Sequence, residues 1–314
     1  MSKIIGVICT KGGVGKTTTT ANLGAILADM KQRVLLIDAD PQQSLSRLFE
    51  IPAHTNDADP QQALSRPFEI VALANFGLSQ LYKSANPAQC ISKTGISGLD
   101  IVLNDDPSSD GIIPAFLRES FTHIQHLRIA LTALEEQYDY ILIDTQGAKG
   151  MVQESVIFAA DTLISPIQPK ILDTREFICG TVELVNKFKP RPGYNTITGR
   201  PLPPIKVLVN MWDRTLNSQE ILRVLRSQFD RETDGAITVL NTVIPDLSVY
   251  SASSGKGQPA HRAEVARRGP TLPACDLMMN LVHELEPKLS DIKPDWPGKT
   301  RAPAALESVT GGAQ

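Results

Sequence analysis

Three short stretches hold residues whose types and spacing suit phosphate chemistry. The first is Lys11-Gly12-Gly13-Val14-Gly15-Lys16-Thr17-Thr18. Its glycines let the backbone turn tightly and bring N–H groups close to an anion. Lys16 can reach a β- or γ-phosphate, and the Thr17 hydroxyl can ligate Mg²⁺. The second stretch is Asp38-Ala39-Asp40-Pro41-Gln42, with two carboxylates one residue apart. The third is Asp144, which closes the apolar run of residues 140–143. A carboxylate in that position holds Mg²⁺, often through water.

The elements that must position these groups follow from pattern. Ile4, Ile5, Val7 and Ile8 form a β-branched run that suits a buried strand. Residues 21–30 have helical composition, so the order is strand, glycine loop, helix. The new helix adds free N–H groups and the positive end of its dipole. Residues 34–37 and 140–143 are further core strands, each ending in aspartate. In open parallel sheets, ligands sit beyond the carboxyl ends of strands, so Asp38, Asp40 and Asp144 should face the loop. More strands are expected at 99–103, 163–168, 205–209 and 238–244. Helices are expected at 114–137, 174–188 and 219–229, and Leu277, Met278, Leu281, Val282 and Leu285 form one apolar helical face. The alternation predicts an α/β fold, a mostly parallel twisted sheet with helices on both faces. On the helix at 114–137, His123 and His126 read as surface residues rather than a metal pair.

Composition narrows the function. The 314 residues suit one large α/β domain or two small ones, with ordinary apolar (42 %) and charged (21 %) content. A net charge of −3 argues against a generally basic nucleic-acid coat, though not against a local basic patch. No apolar run approaches the roughly 18 residues of a membrane span. The chain goes straight into a strand, so no signal peptide is expected. Cys9, Cys90, Cys179 and Cys275 are far apart, which fits a reduced, cytoplasmic protein with incidental thiols.

The ordinary phosphate-loop pattern wants glycine where Thr10 stands, and a second lysine, Lys11, opens the loop. This loop resembles the deviant Walker A motif of the ParA/MinD group of P-loop ATPases. Asp38 to Gln42 matches that group's DxDPQ motif, and the strand ending in Asp144 resembles its Walker B strand. The resemblance covers roughly residues 3–289 and implies a P-loop NTPase-like fold, with ATP and Mg²⁺ as ligands. It implies that Lys11 crosses a homodimer interface to the other subunit's nucleotide, comparable in logic to an arginine finger. It makes Asp40 the residue that orients the attacking water and puts Asp38 near the Mg²⁺ shell, with Thr17 and Asp144 as ligands. It makes Asn210, Pro245 and Asp246 candidates for holding adenine. Among subgroups, the fit is to small ParA/Soj-like partition proteins. Neither the basic membrane helix of the MinD subgroup nor a DNA-reading domain ahead of Lys11 is expected, and no tyrosine follows Tyr250 in this sequence.

That resemblance implies a nucleoid-associated dimer that binds DNA non-specifically and a ParB-like activator of hydrolysis. Relatives often place arginines just after the strand ending in Pro245; here Asp246 to Val249 holds none. Any DNA grip must therefore come from elsewhere, with Arg223, Arg226, Arg262, Arg267 and Arg268 as candidates. Lys187, Lys189, Arg191, Arg200 and Lys206, with no acid among them, form a further basic stretch. An ATP-gated positioning protein that does not touch DNA is the alternative; small-molecule enzymes on the same loop, such as dethiobiotin synthetase, fit less well. The family commonly has a residue and two prolines after the Walker B aspartate, where Thr145-Gln146-Gly147 stands.

Residues 38–51 recur at 57–70, differing only at Ser44/Ala63 and Leu48/Pro67. The first copy follows a strand, so the chemistry belongs to Asp40 and not Asp59. The second reads as a duplicated surface-loop insertion over residues 52–70, with Pro67 breaking the helix that Leu48 permits. One ATPase domain is thus expected over residues 1–290. Residues 291–314, rich in Pro, Gly, Ala and Ser, read as a disordered tail.

Overall fold

The computed structural model of the chain describes residues 2–49, 67–83, 86–188, 201–232 and 235–299. The first part runs β1 (Lys3–Val7), α1 (Lys16–Asp29), β2 (Val34–Ala39), α2 (Ser44–Phe49), β3 (Ile70–Ala72) and α3 (Leu78–Leu81). There follow β4 (Ser92–Thr94), β5 (Leu99–Val102), α4 (Ile112–Glu119), α5 (His126–Thr132), β6 (Tyr140–Thr145) and α6 (Met151–Ala159). Next come β7 (Thr162–Ile167), α7 (Ile171–Glu176), α8 (Glu183–Asn186), β8 (Ile205–Trp212) and α9 (Leu216–Glu232). The last are β9 (Ile237–Pro245), α10 (Ser248–Gly255), α11 (Ala260–Ala263) and α12 (Ala274–Leu285).

The strands form one nine-stranded sheet in the order β3-β4-β5-β2-β6-β1-β7-β8-β9. From β5 to β9 every pair is parallel, while β3 and β4 pair antiparallel at one edge. The strands β2, β6 and β7 are buried along their whole length, as a sheet covered on both faces requires. Two apolar layers cover it: one includes Leu117, Leu131, Val156, Phe177 and Leu225, the other Leu23, Ile26, Phe49, Met278 and Leu281. The expected α/β architecture is the observed one. In the parallel part β1 lies between β6 and β7, so the loop after β1 opens near the middle of the sheet's carboxyl edge.

Several expectations are corrected. The single helix at 114–137 is broken: Ser120 is extended (φ −153°, ψ 139°), and its hydroxyl accepts the Thr122 N–H. Serine favours such caps, so apolar spacing continued across a chain break. Phe121, within that expected helix, is exposed, whereas His123 stacks on Phe116 with ring centroids 4.1 Å apart. His126 meets the same ring edge-on at 5.0 Å, so neither histidine is a plain surface residue. The helix expected at 174–188 contains a π-helical stretch, Phe177–Val182, between α7 and α8.

The second repeat copy ends in the core rather than in a surface loop. Phe68 is buried, and its ring lies 4.8 Å from that of Phe49, its counterpart in the first copy. Residues 50–66, which carry the rest of the repeat, lie outside the described residues. The tail packs over its first nine residues: Asp295 N–H donates to the Asp29 carbonyl at 2.8 Å, and Trp296 meets His261 edge-on at 5.4 Å. Its aromatic ring found a partner that composition alone does not reveal. Residues 300–314 lie outside the described residues.

Beside that tail sits a buried polar cluster at the end of α1. The Asp29 carboxylate accepts Nε2 of His261 at 2.8 Å and Nε and Nη2 of Arg262 at 2.8 and 2.6 Å. Burial alone would raise the Asp29 carboxyl; bonds and charge from His261 and Arg262 outweigh it and hold it below the ordinary range. The cluster ties the far end of α1 to α11, so it helps set where α1 begins. Removing one partner of a buried pair strands the others. Asp29→Ala should lower unfolding free energy by about 3 kcal/mol in urea titrations; a loss under about 1 kcal/mol would show that the cluster does not anchor α1.

Candidate functional site

The loop between β1 and α1 is shaped by left-handed glycines, Gly13 at φ +74° and Gly15 at φ +89°. Asn210, at the end of β8, fixes it: its Nδ2 donates to the Val14 carbonyl at 2.8 Å. A Cβ on Gly15 would stand 2.3 Å from that Nδ2, so only glycine admits the contact. Gln168, just past β7, donates to the Gly13 carbonyl at 3.2 Å. Thr10, which replaces the ordinary pattern's glycine, ties the loop to the π-helical stretch. Its N–H donates to Thr181 Oγ1 at 3.1 Å and its hydroxyl to Glu176 Oε1 at 2.9 Å. Among the described residues, the N–H groups of Lys11 to Gly15 donate to no protein acceptor. Lys16 Nζ folds back to the Lys11 carbonyl at 3.1 Å. This is a nest of donors beside an ammonium and a helix start, the makings of an anion site.

The carboxylates meet at the same edge. Asp144 is fully buried; Oδ2 accepts the Thr17 hydroxyl at 2.6 Å, and Oδ1 has no partner among the described residues. Burial, then the charge of Asp38, pushes its pKa up to about 8. A buried carboxylate with a free oxygen beside a hydroxyl is the hard-oxygen donor set that Mg²⁺ takes. A divalent cation would reverse the pKa rise. Thr17 and Asp144 are thus the residues fitted to hold Mg²⁺. Asp38 is fully buried too, and burial pushes its pKa up to about 6. Its Oδ1 accepts the Asp40 N–H at 3.1 Å and its Oδ2 the Ser46 N–H at 2.7 Å. Both oxygens therefore brace the turn and the start of α2, rather than pointing unbonded toward a metal. Asp40 is half-buried, and its Oδ1 accepts the Gln42 N–H at 2.9 Å.

A cavity of about 910 Å³ opens between these groups, lined by Gly12, Lys16, Thr17, Asp40, Gln146 and Gly147 among others. A second, of about 400 Å³, shares Thr18 and Met211 with it and holds Asn210, Pro245 and Asp246 beside Leu208 and Ile244. The pair offers a polar compartment for phosphates and a less polar one for a base. Lys11 lines neither: its ammonium pairs with Asp173 of α7, next to exposed Ile171 and Leu172.

The arginines are not brought together. Arg223 and Arg226 ride on α9, whose Leu222 and Leu225 join one apolar layer. The other three follow α10, on the side of α12 and the opposite layer. Arg223 pairs with Glu220, Arg262 with Asp29 and Arg267 with Glu264, and Arg226 donates to the Leu240 and Asn241 carbonyls. Arg268 is exposed without a partner among the described residues. Of the other basic stretch, Lys189, Arg191 and Arg200 lie outside the described residues.

Comparison with known proteins decides the family. A family profile described as AAA domain matches residues 2–190. The sporulation initiation inhibitor protein Soj of Bacillus subtilis is 32 % identical over 287 residues, spanning 86 % of this chain and 94 % of Soj. The chain belongs to the ParA/Soj family. The chromosome partitioning protein ParA of Caulobacter vibrioides is 27 % identical over 254 residues, spanning 79 % of this chain and 84 % of ParA. Among solved structures, apo McdA of Cyanothece superposes with a TM-score of 0.63 at 24 % identity, covering 82 % of this chain and 92 % of McdA. The septum site-determining protein MinD of Pyrococcus horikoshii gives 0.62 at 21 % identity, covering 92 % and 98 %. These two likenesses show that the P-loop fold is shared.

Motif reading of this ParA/Soj-family chain missed the groups that hold the loop from outside: Gln168, Asp173, Glu176 and Thr181. Only Gln168 left a signal, a polar side chain just past a core strand on the sheet's carboxyl edge. The raised pKa of Asp144 has a measurable consequence. Mg²⁺ must displace the proton there, so its affinity should rise with pH from 6 to about 8 and then level off. Calorimetric titration of Mg²⁺ with nucleotide at pH 6, 7 and 8 checks this; an equal slope in Asp144→Asn would assign the dependence elsewhere.

Proposed function

We propose that this chain is a Mg²⁺-dependent partition ATPase with one ATP-switched domain, which the packed residues 291–299 extend past the expected end at 290. The loop of Gly12, Gly13, Val14, Gly15, Lys16, Thr17 and Thr18 takes the phosphates. Thr17 and Asp144 hold Mg²⁺, and Asn210, Pro245 and Asp246 border the base. Asp40 lines the phosphate cavity where a water must be oriented. ATP fits this reading because a related fold, that of a putative plasmid partition protein of Borrelia burgdorferi, was solved with AMPPNP. A variant of McdA was solved with ATP, and the MinD structure holds Mg-ADP.

The observation that carries the dimer is Lys11. It is part of the glycine loop, yet its ammonium lies outside its own chain's phosphate cavity, on Asp173. Beside it Ile171 and Leu172 are 56 % and 72 % exposed, an apolar surface suited to a second copy. ATP would close two subunits face to face, with each Lys11 leaving Asp173 for the partner's nucleotide. Hydrolysis, stimulated by a ParB-like protein, would open them, so ATP acts as a timer on an assembly state. The closed dimer would hold nucleoid DNA non-specifically, through phosphate contacts that weaken as salt rises.

A second reading keeps the ATP switch and drops the DNA. It is favoured by the arginines: four of the five candidates are engaged within the chain. DNA co-sedimentation with ATP at low and high salt separates the two readings. The switch itself is tested by mass in solution. Wild type with ADP should be a monomer, Asp40→Ala with ATP a stable dimer, and Lys11→Ala with ATP a monomer. If Asp40→Ala stays monomeric with ATP, the sandwich mechanism is wrong for this chain.

A further inference from the structure

Just past β5 the chain turns polar at Asn104-Asp105-Asp106, and each of these side chains holds a different element. Asp106 Oδ2 accepts the Ile113 N–H at 2.7 Å, in the first turn of α4. Asp105 accepts the N–H and the hydroxyl of Ser79 in α3, both at 2.7 Å. Asn104 holds the turn that carries Asp40. Its Nδ2 donates to the Asp40 carbonyl at 3.0 Å, while its Oδ1 accepts the Asp106 N–H at 2.7 Å. Its own N–H donates to Ser46 Oγ at 2.9 Å, and its carbonyl accepts Gln43 Nε2 at 2.9 Å. Asn104 is only 7 % exposed, and each of its four polar groups has a partner. A buried amide satisfied in this way is a rigid junction.

The turn it meets needs a hold from outside. Gln43 has φ +56°, a left-handed backbone that a residue with a Cβ keeps only where its neighbours fix it. The Gln43 N–H donates to the Asp40 carbonyl at 2.8 Å, so that carbonyl takes one donor from within the turn and one from Asn104. Among the described residues, the Asp40 carboxylate bonds only inside the turn, to the Gln42 N–H. Where the carboxylate stands is therefore set by where the turn stands. Asp40, Pro41, Gln42 and Ser44 line the phosphate cavity, and so do Pro107, Ser108 and Ser109. Through Nδ2 and Oδ1, Asn104 ties the first group to the start of the second. It does not itself line the cavity.

We propose that Asn104 is a positioning residue for hydrolysis: by holding the Asp40 carbonyl, its carboxamide fixes the Asp40 carboxylate where the attacking water must be oriented. This rests on the ATPase reading above and on the place of Asp40 in it. Asn104 touches neither phosphate nor water and acts through Asp40 alone. The phosphates are held by the loop of Gly12 to Thr18, which shares no hydrogen bond with Asn104 among the described residues. Loosening Asn104 should thus leave nucleotide binding intact and slow the step in which water attacks. An error of about 1 Å in a positioned group can cost about a hundredfold in rate.

The test uses the full chain and its Asn104→Leu and Gln43→Asn variants. Leucine fills nearly the same volume as asparagine and removes both side-chain bonds. Asparagine at position 43 tolerates the left-handed backbone but is one carbon too short to reach the Asn104 carbonyl. Affinity for ATPγS with Mg²⁺ is measured by calorimetry, and ATP hydrolysis by single turnover. Asn104→Leu should hydrolyse about a hundredfold more slowly and Gln43→Asn about tenfold, each binding ATPγS within about twofold of wild type. A residue that merely held the fold together would weaken binding as much as rate. Asn104→Leu hydrolysing at the wild-type rate, or losing affinity in step with rate, overturns the proposal. Wild type that binds ATPγS but hydrolyses no ATP defeats the ATPase reading and this inference with it. Wild type that hydrolyses while both variants keep pace defeats this inference alone. Should Asn104→Leu fail to fold, Gln43→Asn decides by the same two measurements.

Discussion

The site depends on how closely backbone segments approach at the carboxyl end of β1. Asn210 reaches the loop only because Gly15 has no side chain, and Gly147 lies on Gly12 for the same reason. These two contacts press β8 and the segment after β6 against the phosphate loop from different sides. Gln168 and Thr10 add hydrogen bonds from the side of β7 and the π-helical stretch. Among the described residues the loop's N–H groups stay unpaired, while outside groups hold its carbonyls and its first residue. A phosphate site is in this sense a backbone held open by its neighbours.

Electrostatics completes the site at a cost in the isolated chain. Asp38 and Asp144 sit side by side on paired strands, both fully buried. Their mutual charge and burial disfavour ionisation, and Asp38 is offset by two backbone N–H bonds while one oxygen of Asp144 has no partner among the described residues. Such an arrangement is poor for stability and good for a cation. The opposite end of α1 is held by a cluster whose charges are matched, Asp29 against Arg262 with His261 beside them. One end of the helix is thus built for staying put and the other for binding.

Much was legible in the sequence because it is local chemistry. Glycines before Lys16-Thr17, aspartates at strand ends, and apolar runs alternating with helical spacing need no knowledge of the fold to be read. They determined the α/β class and the strand, glycine loop, helix order, and they put Asp40 and Asp144 at the sheet edge that the loop shares. The amphipathic helix that became α12 was equally plain from its spacing.

Tertiary structure decided what depends on distant partners. Asp38 became a brace because Ser46 and Asp40 present N–H groups to it. Arg262 left the list of free basic residues because Asp29, 233 positions away, is buried beside it. Phe68 and Trp296 entered the core, against loop-like surroundings in the sequence, because Phe49 and His261 offered them partners. Lys11 carries the clearest case: sequence marks it as an extra cation, but only the fold turns it away from its own cavity and onto Asp173. Composition and periodicity report what a residue can do; long-range contact decides which of those things it does.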